Sequence, residues 1–126
     1  MKLEKDIHKF LRGEEFSNSL TLNITREKLI PETRETAILN IINGYDVIHL
    51  GCADHVEIID EKIRSGRWLH KLITDNSKNC FGIDISGEGI DYMKNKLGYS
   101  NVKQANVITD SIEEISSGSW DWVVFG

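Results

Sequence analysis

The sequence of 126 residues contains one proline and two cysteines, and these low counts exclude several classes of protein. Two cysteines, Cys52 and Cys80, cannot form the disulfide framework of a small secreted domain. No apolar run approaches the roughly 20 residues that span a bilayer, and the first residues lack the apolar core of a signal peptide. We therefore expect a chain of the reducing cytoplasm that has no membrane partner.

Basic residues are also too few to suggest a nucleic-acid partner. The chain has 15 Lys and Arg against 20 Asp and Glu, which gives a net charge of −5, and its basic residues are scattered along the sequence. Because binding to phosphate backbones needs a basic face, we expect no nucleic acid among the partners. The hydrophobic share of 40% is ordinary for a globular chain and does not indicate an oligomeric state.

From residue 45 onward, apolar strands alternate with helical segments. Strands are predicted at 46–50, at 80–85, within 101–107 and at 120–125, and the segments between them carry apolar residues at helical spacing. Ser86 and Asp110 are predicted to cap two of these helices at their N-termini. This alternation favours parallel strands joined by right-handed crossovers. We therefore expect an α/β fold with a Rossmann-like doubly wound sheet, mainly parallel and flanked by helices. Because such a sheet normally has more strands, the four predicted here indicate an incomplete one.

Residues 1–44 are predicted to form a separate N-terminal segment ahead of a core domain at 45–126. Apolar spacing predicts a helix at 3–12, and alternation of apolar and polar residues predicts a strand near 20–24. Pro31 is typical of the first residue of a helix, because its ring fixes a helical backbone angle. The N-terminal segment is therefore expected to be partly helical and partly extended.

The most informative motif is a glycine after the first predicted strand and an acid at the end of the second. The apolar strand at 46–50 runs directly into Gly51, and Asp84 lies 33 positions further on. In such a sheet a ligand binds beyond the carboxyl ends of the strands. Gly51 permits a sharp turn, and the two oxygens of Asp84 suit the two hydroxyls of a ribose. The pair indicates an adenosine-containing cofactor, unless Gly51 is an ordinary turn and Asp84 a helix-capping acid.

The loop after Gly51 departs from the dinucleotide-binding pattern G-x-G-x-x-G. Residues 51–56 read G-C-A-D-H-V and keep only the first glycine, and the interval before Asp84 exceeds the usual ~20 residues. Both departures count against an NAD-dependent oxidoreductase, which stays open as an alternative. The additional residues at 57–67 are expected to form a solvated insertion or a lid over the cofactor.

These residues resemble the class I S-adenosylmethionine-dependent methyltransferases. Residues 47–55, V-I-H-L-G-C-A-D-H, align with the first motif of that family, commonly written V-L-D-L-G-C-G-x-G. Residues 82–86 are similar to its ribose-binding second strand, and residues 104–107 fall where the family often has G-D-A or G-D-V. Residues 119–126 resemble its fourth strand, F-D-x-V-x-x-G. The likeness therefore covers about two thirds of the chain.

The resemblance implies S-adenosylmethionine as the cofactor and methyl transfer to a small-molecule or glycan acceptor as the activity. It implies contacts with the cofactor for eight residues: His49, Gly51, Cys52 and Ala53 at the methionine end, Asp84 at the ribose, Ile85 on the adenine face, and Asn106 and Val107 at the adenine edge. Three of them differ from the family pattern, since His49 stands in place of an acid, Ala53 in place of a glycine and Asn106 in place of an aspartate. The glycan acceptor follows from a looser likeness to methyltransferases of glycan biosynthesis.

Two further interpretations concern the same loop. His49, Cys52 and His55 have the spacing H-x2-C-x2-H, but strand alternation puts His49 on the sheet and no fourth ligand follows, so no metal is predicted. His55 is a weak candidate for a catalytic base, because a lone histidine in a loop is usually just exposed; the catalytic residues stay unknown. A non-catalytic Rossmann-like module, binding a nucleotide or a partner without turnover, is the alternative from a different class.

Overall fold

The computed structural model describes residues 33–126 together with Glu14. The predicted helix at 3–12, the strand near 20–24 and the helix start at Pro31 fall outside the described residues. In chain order the elements are α1 (Arg34–Ile42), β1 (Asp46–Leu50), α2 (Val56–Arg64), α3 (Leu69–Asn76), β2 (Asn79–Asp84), α4 (Gly87–Asn95), β3 (Val102–Gln104), α5 (Glu113–Ser117) and β4 (Trp122–Phe125).

Within residues 33–126, the strands form one four-stranded sheet in the order β3-β2-β1-β4. Every neighbouring pair is parallel. In this register His49 of β1 lies between Gly82 of β2 and Val124 of β4. The prediction of an α/β fold with a parallel sheet and flanking helices is confirmed, and the strand order is that of the first four strands of a Rossmann-like sheet.

Helices cover the two faces of the sheet unequally. On one face α1, α2, α3 and α4 supply the buried side chains Ile42, Ile59, Ile73, Ile90 and Met93, which pack on Val47, Cys80, Val102 and Val124 of the strands. On the other face Ile112, just before α5, packs with Ile48 and Ile83. Each buried Ile contributes roughly 1.5–3 kcal/mol to folding. This second face is covered over β2 but leaves Val123 and Phe125 of β4 exposed.

Local sequence explains where α4 begins but not where α5 does. Ser86 precedes α4, and its Oγ accepts a hydrogen bond from the Gly89 N–H at 3.0 Å, so the predicted N-cap is confirmed. The predicted cap of α5 at Asp110 is wrong: α5 begins at Glu113 after Ile112. Asp110 instead accepts the backbone N–H of Asn106 at 2.8 Å, because the bond within its own turn competes with helix capping.

Helix α2 occupies the segment predicted to be an insertion. Glu57 lies in its first turn and Lys62 and Arg64 in its last, an arrangement that the helix dipole favours. Ile59 is fully buried against the core formed with α4. The segment is therefore a packed helix and not only a solvated face. Within residues 33–126, no helix is long and apolar enough to cross a membrane.

Candidate cofactor-binding site

Gly51 forms the turn that leaves β1. Its φ is +70°, a left-handed conformation that other residues adopt only with strain. The N–H groups of Gly51 and Cys52 both donate to the carbonyl oxygen of Ile83, at 2.8 and 3.3 Å. These two groups therefore extend the contact between β1 and β2 and are not directed at a ligand.

Asp84 connects the loops that leave β1 and β2. Its Oδ2 accepts the N–H of Ala53 and its Oδ1 accepts the N–H of Ser86, both at 2.9 Å. The N-cap of α4 is Ser86, so Asp84 does not cap that helix but holds the backbone just ahead of it. Each carboxylate oxygen has a second lone pair, so both can also accept a hydroxyl hydrogen from outside. Asp84 therefore fits a ribose without giving up its backbone bonds.

Apolar side chains lie exposed beside Asp84 at the carboxyl ends of β2 and β3. Ile85, in the loop after β2, is 67% exposed, and Val107, in the loop after β3, is 45% exposed. The Oδ1 of Asn106 accepts the N–H of Ile108 at 3.0 Å, which leaves one lone pair for an adenine amino group. Gln104 Nε2 donates to the carbonyl oxygen of Ile85 at 3.2 Å and holds the two loops together.

Two of the predicted contacts have their side chains inside the protein. Cys52 is buried, and its Sγ lies 4.0 Å from the Sδ of Met93. Burial, followed by the negative charge of Asp84, raises the pKa of the Cys52 thiol far above its usual range. Because only 2% of Cys52 is exposed, neither its side chain nor its backbone is open to a ligand. His49 is 1% exposed and faces the helices.

The side chain of His49 is paired with that of His70, a residue of α3 for which the sequence indicated no role. Their Nδ1 atoms lie 3.0 Å apart, and both side chains are 1% exposed. Burial, and next the charge of Arg34, lowers the pKa of His49 to about 4. Burial, and next His49, lowers the pKa of His70 to about 3. Both imidazoles are therefore neutral at pH 7.

Gly82 makes room for His70 above the sheet. A Cβ at this position would lie 2.8 Å from the Cε1 of His70 and 2.8 Å from the Sγ of Cys52. A glycine inside a strand often marks such a close approach. Since Gly82 is in register with His49, the glycine in the middle of β2 was the sequence signal for a bulky neighbour there.

The second nitrogen of His49 is buried without a partner. His49 Nε2 and Ser77 Oγ are the buried side-chain polar atoms that lack a hydrogen bond among residues 33–126. The backbone of Gly126 covers this nitrogen, because a Cβ on Gly126 would lie 2.8 Å from it. An unpaired buried polar atom costs about 1–3 kcal/mol. It is therefore expected only where another interaction or a ligand compensates.

The arrangement of His49, Cys52 and His55 does not resemble a metal site. The first two side chains are buried, whereas His55 is exposed at the start of α2 and makes no side-chain capping bond. In the part of the chain that the structure describes, no group of three or more His, Cys, Asp or Glu side chains is arranged to hold a metal ion.

Two cavities lie at the opposite, amino end of the sheet. The smaller, of about 240 Å³, is lined by residues that include His70, Lys78 and Asn101. The larger, of about 530 Å³, includes Asp46, the first residue of β1, and Trp120. Neither of these two cavities contains a predicted cofactor contact.

Comparison of the chain with protein-family models, with curated proteins and with solved structures gives no match. The candidate site is therefore defined by its own geometry. The structure brings Gly51, Ala53, Asp84 and Ile85 together at the carboxyl end of the sheet. Asn106 and Val107 follow β3 at the same end.

Proposed function

We propose that this domain binds an adenosine-containing cofactor at the carboxyl ends of β1, β2 and β3, in a doubly wound Rossmann-like sheet. The observation that carries the proposal is Asp84, whose two oxygens are held by the N–H groups of Ala53 and Ser86 and keep one lone pair each. Exposed Ile85 follows Asp84 directly, and exposed Val107 lies in the loop after the neighbouring strand β3. A polar pair of acceptors near apolar side chains suits a ribose joined to a flat base.

We further propose that the cofactor is S-adenosylmethionine and that the protein is a cytoplasmic methyltransferase acting on a small-molecule or glycan acceptor. The order of the four motifs at 47–55, 82–86, 104–107 and 119–126 supports this choice. The loop after Gly51 supports it too, because it lacks the second and third glycines that let a backbone approach the pyrophosphate of NAD.

The cofactor would supply a methyl group on a sulfonium that is already reactive. The residues of this chain would then contribute binding and orientation. Asp84 would accept hydrogen bonds from the ribose, Ile85 and Val107 would cover the base, and Gly51 would keep the turn clear of side-chain atoms. No residue of the described chain is assigned as a base.

Calorimetric titration with S-adenosylmethionine, and separately with NAD, tests the proposal. The wild-type protein is expected to bind S-adenosylmethionine, and Asp84→Ala is expected to weaken that binding by about 1–3 kcal/mol, or roughly 5- to 150-fold. Asp121→Ala is the matched control, because the Oδ2 of Asp121 also accepts a backbone N–H, from Asp46 at 2.9 Å, but at the amino end of the sheet.

Asp121→Ala should therefore bind the cofactor as the wild type does. Far-ultraviolet circular dichroism first establishes that both variants are folded. Preference for NAD, absence of binding in the wild type, or an equal affinity of Asp84→Ala and the wild type would each refute the assignment.

A further inference from the structure

β3 and β4 form the two edges of the sheet, and their sequences differ. β3 has three residues and carries Lys103, whose Nζ pairs with Glu114 at 3.1 Å. Short edge strands that carry a lysine resist pairing with further strands. β4 has four residues, Trp122–Phe125, all of them apolar and of types that favour strands. Within residues 33–126, its one neighbour in the sheet is β1. Of these two edges, the one at β4 is therefore the one open to a further strand.

The exposed side chains of β4 lie on both faces of the strand. Because successive residues of a strand point to opposite faces, Val123 and Phe125 share one face and Trp122 lies on the other. Trp122 is 44% exposed, Val123 50% and Phe125 70%. A partner that packed on one face of the sheet would leave the other face uncovered, whereas a strand added alongside β4 contacts side chains on both. The surface therefore fits a strand as its partner.

The backbone of β4 has a defined outward side. The N–H of Asp121 donates to the carbonyl oxygen of Asp46, the first residue of β1, at 2.9 Å. Since backbone groups alternate in direction along a strand, Asp121 and Val123 direct theirs at β1, whereas Trp122 and Val124 direct theirs away from it. A further strand therefore forms its hydrogen bonds with Trp122 and Val124.

We propose that this further strand is β4 of a second copy of the chain, paired antiparallel about a twofold axis at Val123. Each Trp122 then lies opposite the partner's Val124, and each such pair can exchange both of its N–H···O bonds. An aromatic residue opposite a β-branched one is a favourable cross-strand pair. A twofold axis places the same patch on both copies, so one strand supplies both halves of the interface.

Charge complementarity supports this register. An axis at Val123 places Phe125 opposite the partner's Asp121. The Nη2 of Arg34 donates to the carbonyl oxygen of Phe125 at 3.0 Å, so a guanidinium lies beside the position that the partner's carboxylate takes. An axis at Trp122 or at Val124 would move these opposite charges apart. Residues 122–125 carry no charge, so no like charges meet within the ladder.

Sedimentation velocity over a concentration series tests the association of the full chain. The paired strands cover less than the roughly 1,200 Å² of a standard interface, so a weak dimer is expected. The 14.4 kDa chain should sediment as a monomer at low micromolar concentration and as a dimer near millimolar concentration. Val123→Lys places two ammonium groups at the axis and should weaken dimerisation by about tenfold or more. Ile41→Lys is the matched control, because Ile41 of α1 is 51% exposed; it should dimerise as the wild type does.

Oxidative cross-linking tests the register. The native Cys52 and Cys80 are buried. Residues opposite each other have Cβ atoms roughly 4.5–5.5 Å apart, close to the reach of a disulfide, so Val123→Cys should form a covalent dimer in oxidised glutathione. Phe125→Cys is the control, because residue 125 is more exposed but lies roughly 13 Å along the strand from its own copy in this register. It should stay largely uncross-linked.

Three results would overturn the proposal. The first is a wild type that stays monomeric up to millimolar concentration. The second is a Val123→Lys variant that dimerises as the wild type does, since the interface would then lie elsewhere. The third is equal cross-linking of Val123→Cys and Phe125→Cys. Far-ultraviolet circular dichroism first establishes that the variants are folded. If Val123→Lys does not fold, the wild type and the two cysteine variants still decide the question.

Discussion

At both ends of the sheet an aspartate accepts backbone N–H groups from a neighbouring element, yet the surroundings of the two residues differ. Asp84, at the carboxyl end, lies beside exposed Ile85. Asp121, at the amino end, bonds to Asp46 near the larger cavity. A carboxylate that accepts hydrogen bonds from the backbone of a neighbouring element is therefore not by itself a ligand site. An exposed apolar residue follows each aspartate, Ile85 after Asp84 and Trp122 after Asp121. What distinguishes Asp84 is its place at the carboxyl end of the sheet, with both of its oxygens holding backbone N–H groups.

Two cavities lie at the amino end, and Lys78 and Asn101 line the smaller of them. The carboxyl end has the glycine turn and the acid, whereas His70 of the buried histidine pair reaches the smaller cavity. In parallel sheets the loops after the carboxyl ends usually hold the ligand. The following predictions run from the largest effect to the smallest and compare the two ends of the sheet in stability and in cofactor binding.

Acidification should destabilise the protein through the histidine pair. The pKa values of His49 and His70 are lowered to about 4 and about 3, whereas an unfolded histidine has about 6.5. The unfolded chain therefore takes up protons first, and stability present above pH 6.5 is lost as the pH falls toward 4. Between pH 7 and pH 5 we expect a loss of up to about 4 kcal/mol in urea unfolding, half of it from each histidine.

The control for this effect is His55→Gln, since His55 is exposed. That variant should lose stability with falling pH as steeply as the wild type does. His70→Asn should show a shallower dependence, because one of the two shifted groups is gone. A wild-type stability that stays constant from pH 7 to pH 5 would contradict the burial of a neutral pair.

Filling the space above Gly82 should be the next most costly change. Gly82→Ala puts a methyl group 2.8 Å from both His70 Cε1 and Cys52 Sγ, and the buried neighbours must move. We expect a loss of about 1–3 kcal/mol in the free energy of unfolding. Gly87→Ala is the control, because its Cβ would meet only the end of the exposed Gln104 side chain, at 3.0 Å. Equal stability of the two variants would show that His70 does not pack on β2 as described.

Asp84→Asn should cost more stability than Asp121→Asn. Asp84 accepts two backbone N–H groups on its two oxygens, and an amide can replace only one acceptor. We expect a loss of about 2 kcal/mol for Asp84→Asn and about 1 kcal/mol for Asp121→Asn, measured by chemical denaturation. The reverse order would indicate that the amino end is the more tightly fastened of the two.

The smallest effect concerns the N-caps. Ser86 caps α4 and Thr33 caps α1 through the same type of hydrogen bond, at 3.0 and 3.1 Å. Replacement of either by Ala should cost about 1 kcal/mol. Both variants should bind S-adenosylmethionine as the wild type does, because Ser86→Ala keeps the backbone N–H that donates to Asp84. Weaker binding by Ser86→Ala than by Thr33→Ala would show that the hydroxyl of Ser86 takes part in the site.

Much of the fold was predictable because its signals are local. The apolar run of β1 gave its bounds, Asp46–Leu50, and Ser86 marked the start of α4. Helix α2 was not predicted as a helix, because its charged residues suggested a solvated insertion and only Ile59 packs fully. The cap at Asp110 was wrong because a turn bond to Asn106 competed with it.

The candidate site was predictable in part for the same reason. The positions of Gly51 and Asp84 at the ends of two strands could be read from the sequence. In the structure Gly51 forms a turn, and the carboxylate of Asp84 keeps lone pairs for a ligand. The pairing of His49 with His70 was not predictable, because it joins a strand to a helix across the space that Gly82 leaves. Such contacts depend on packing between elements and not on the spacing within one.

Backbone ¹H–¹⁵N chemical-shift mapping during titration with S-adenosylmethionine tests the central claim most directly. If the carboxyl end binds the cofactor, the largest shifts should cluster at residues 51–54, 84–86 and 106–108. Residues 78–80 and 98–101, around the smaller cavity, should stay unchanged. Shifts concentrated at the amino end, or no shifts at saturating concentration, would contradict the account.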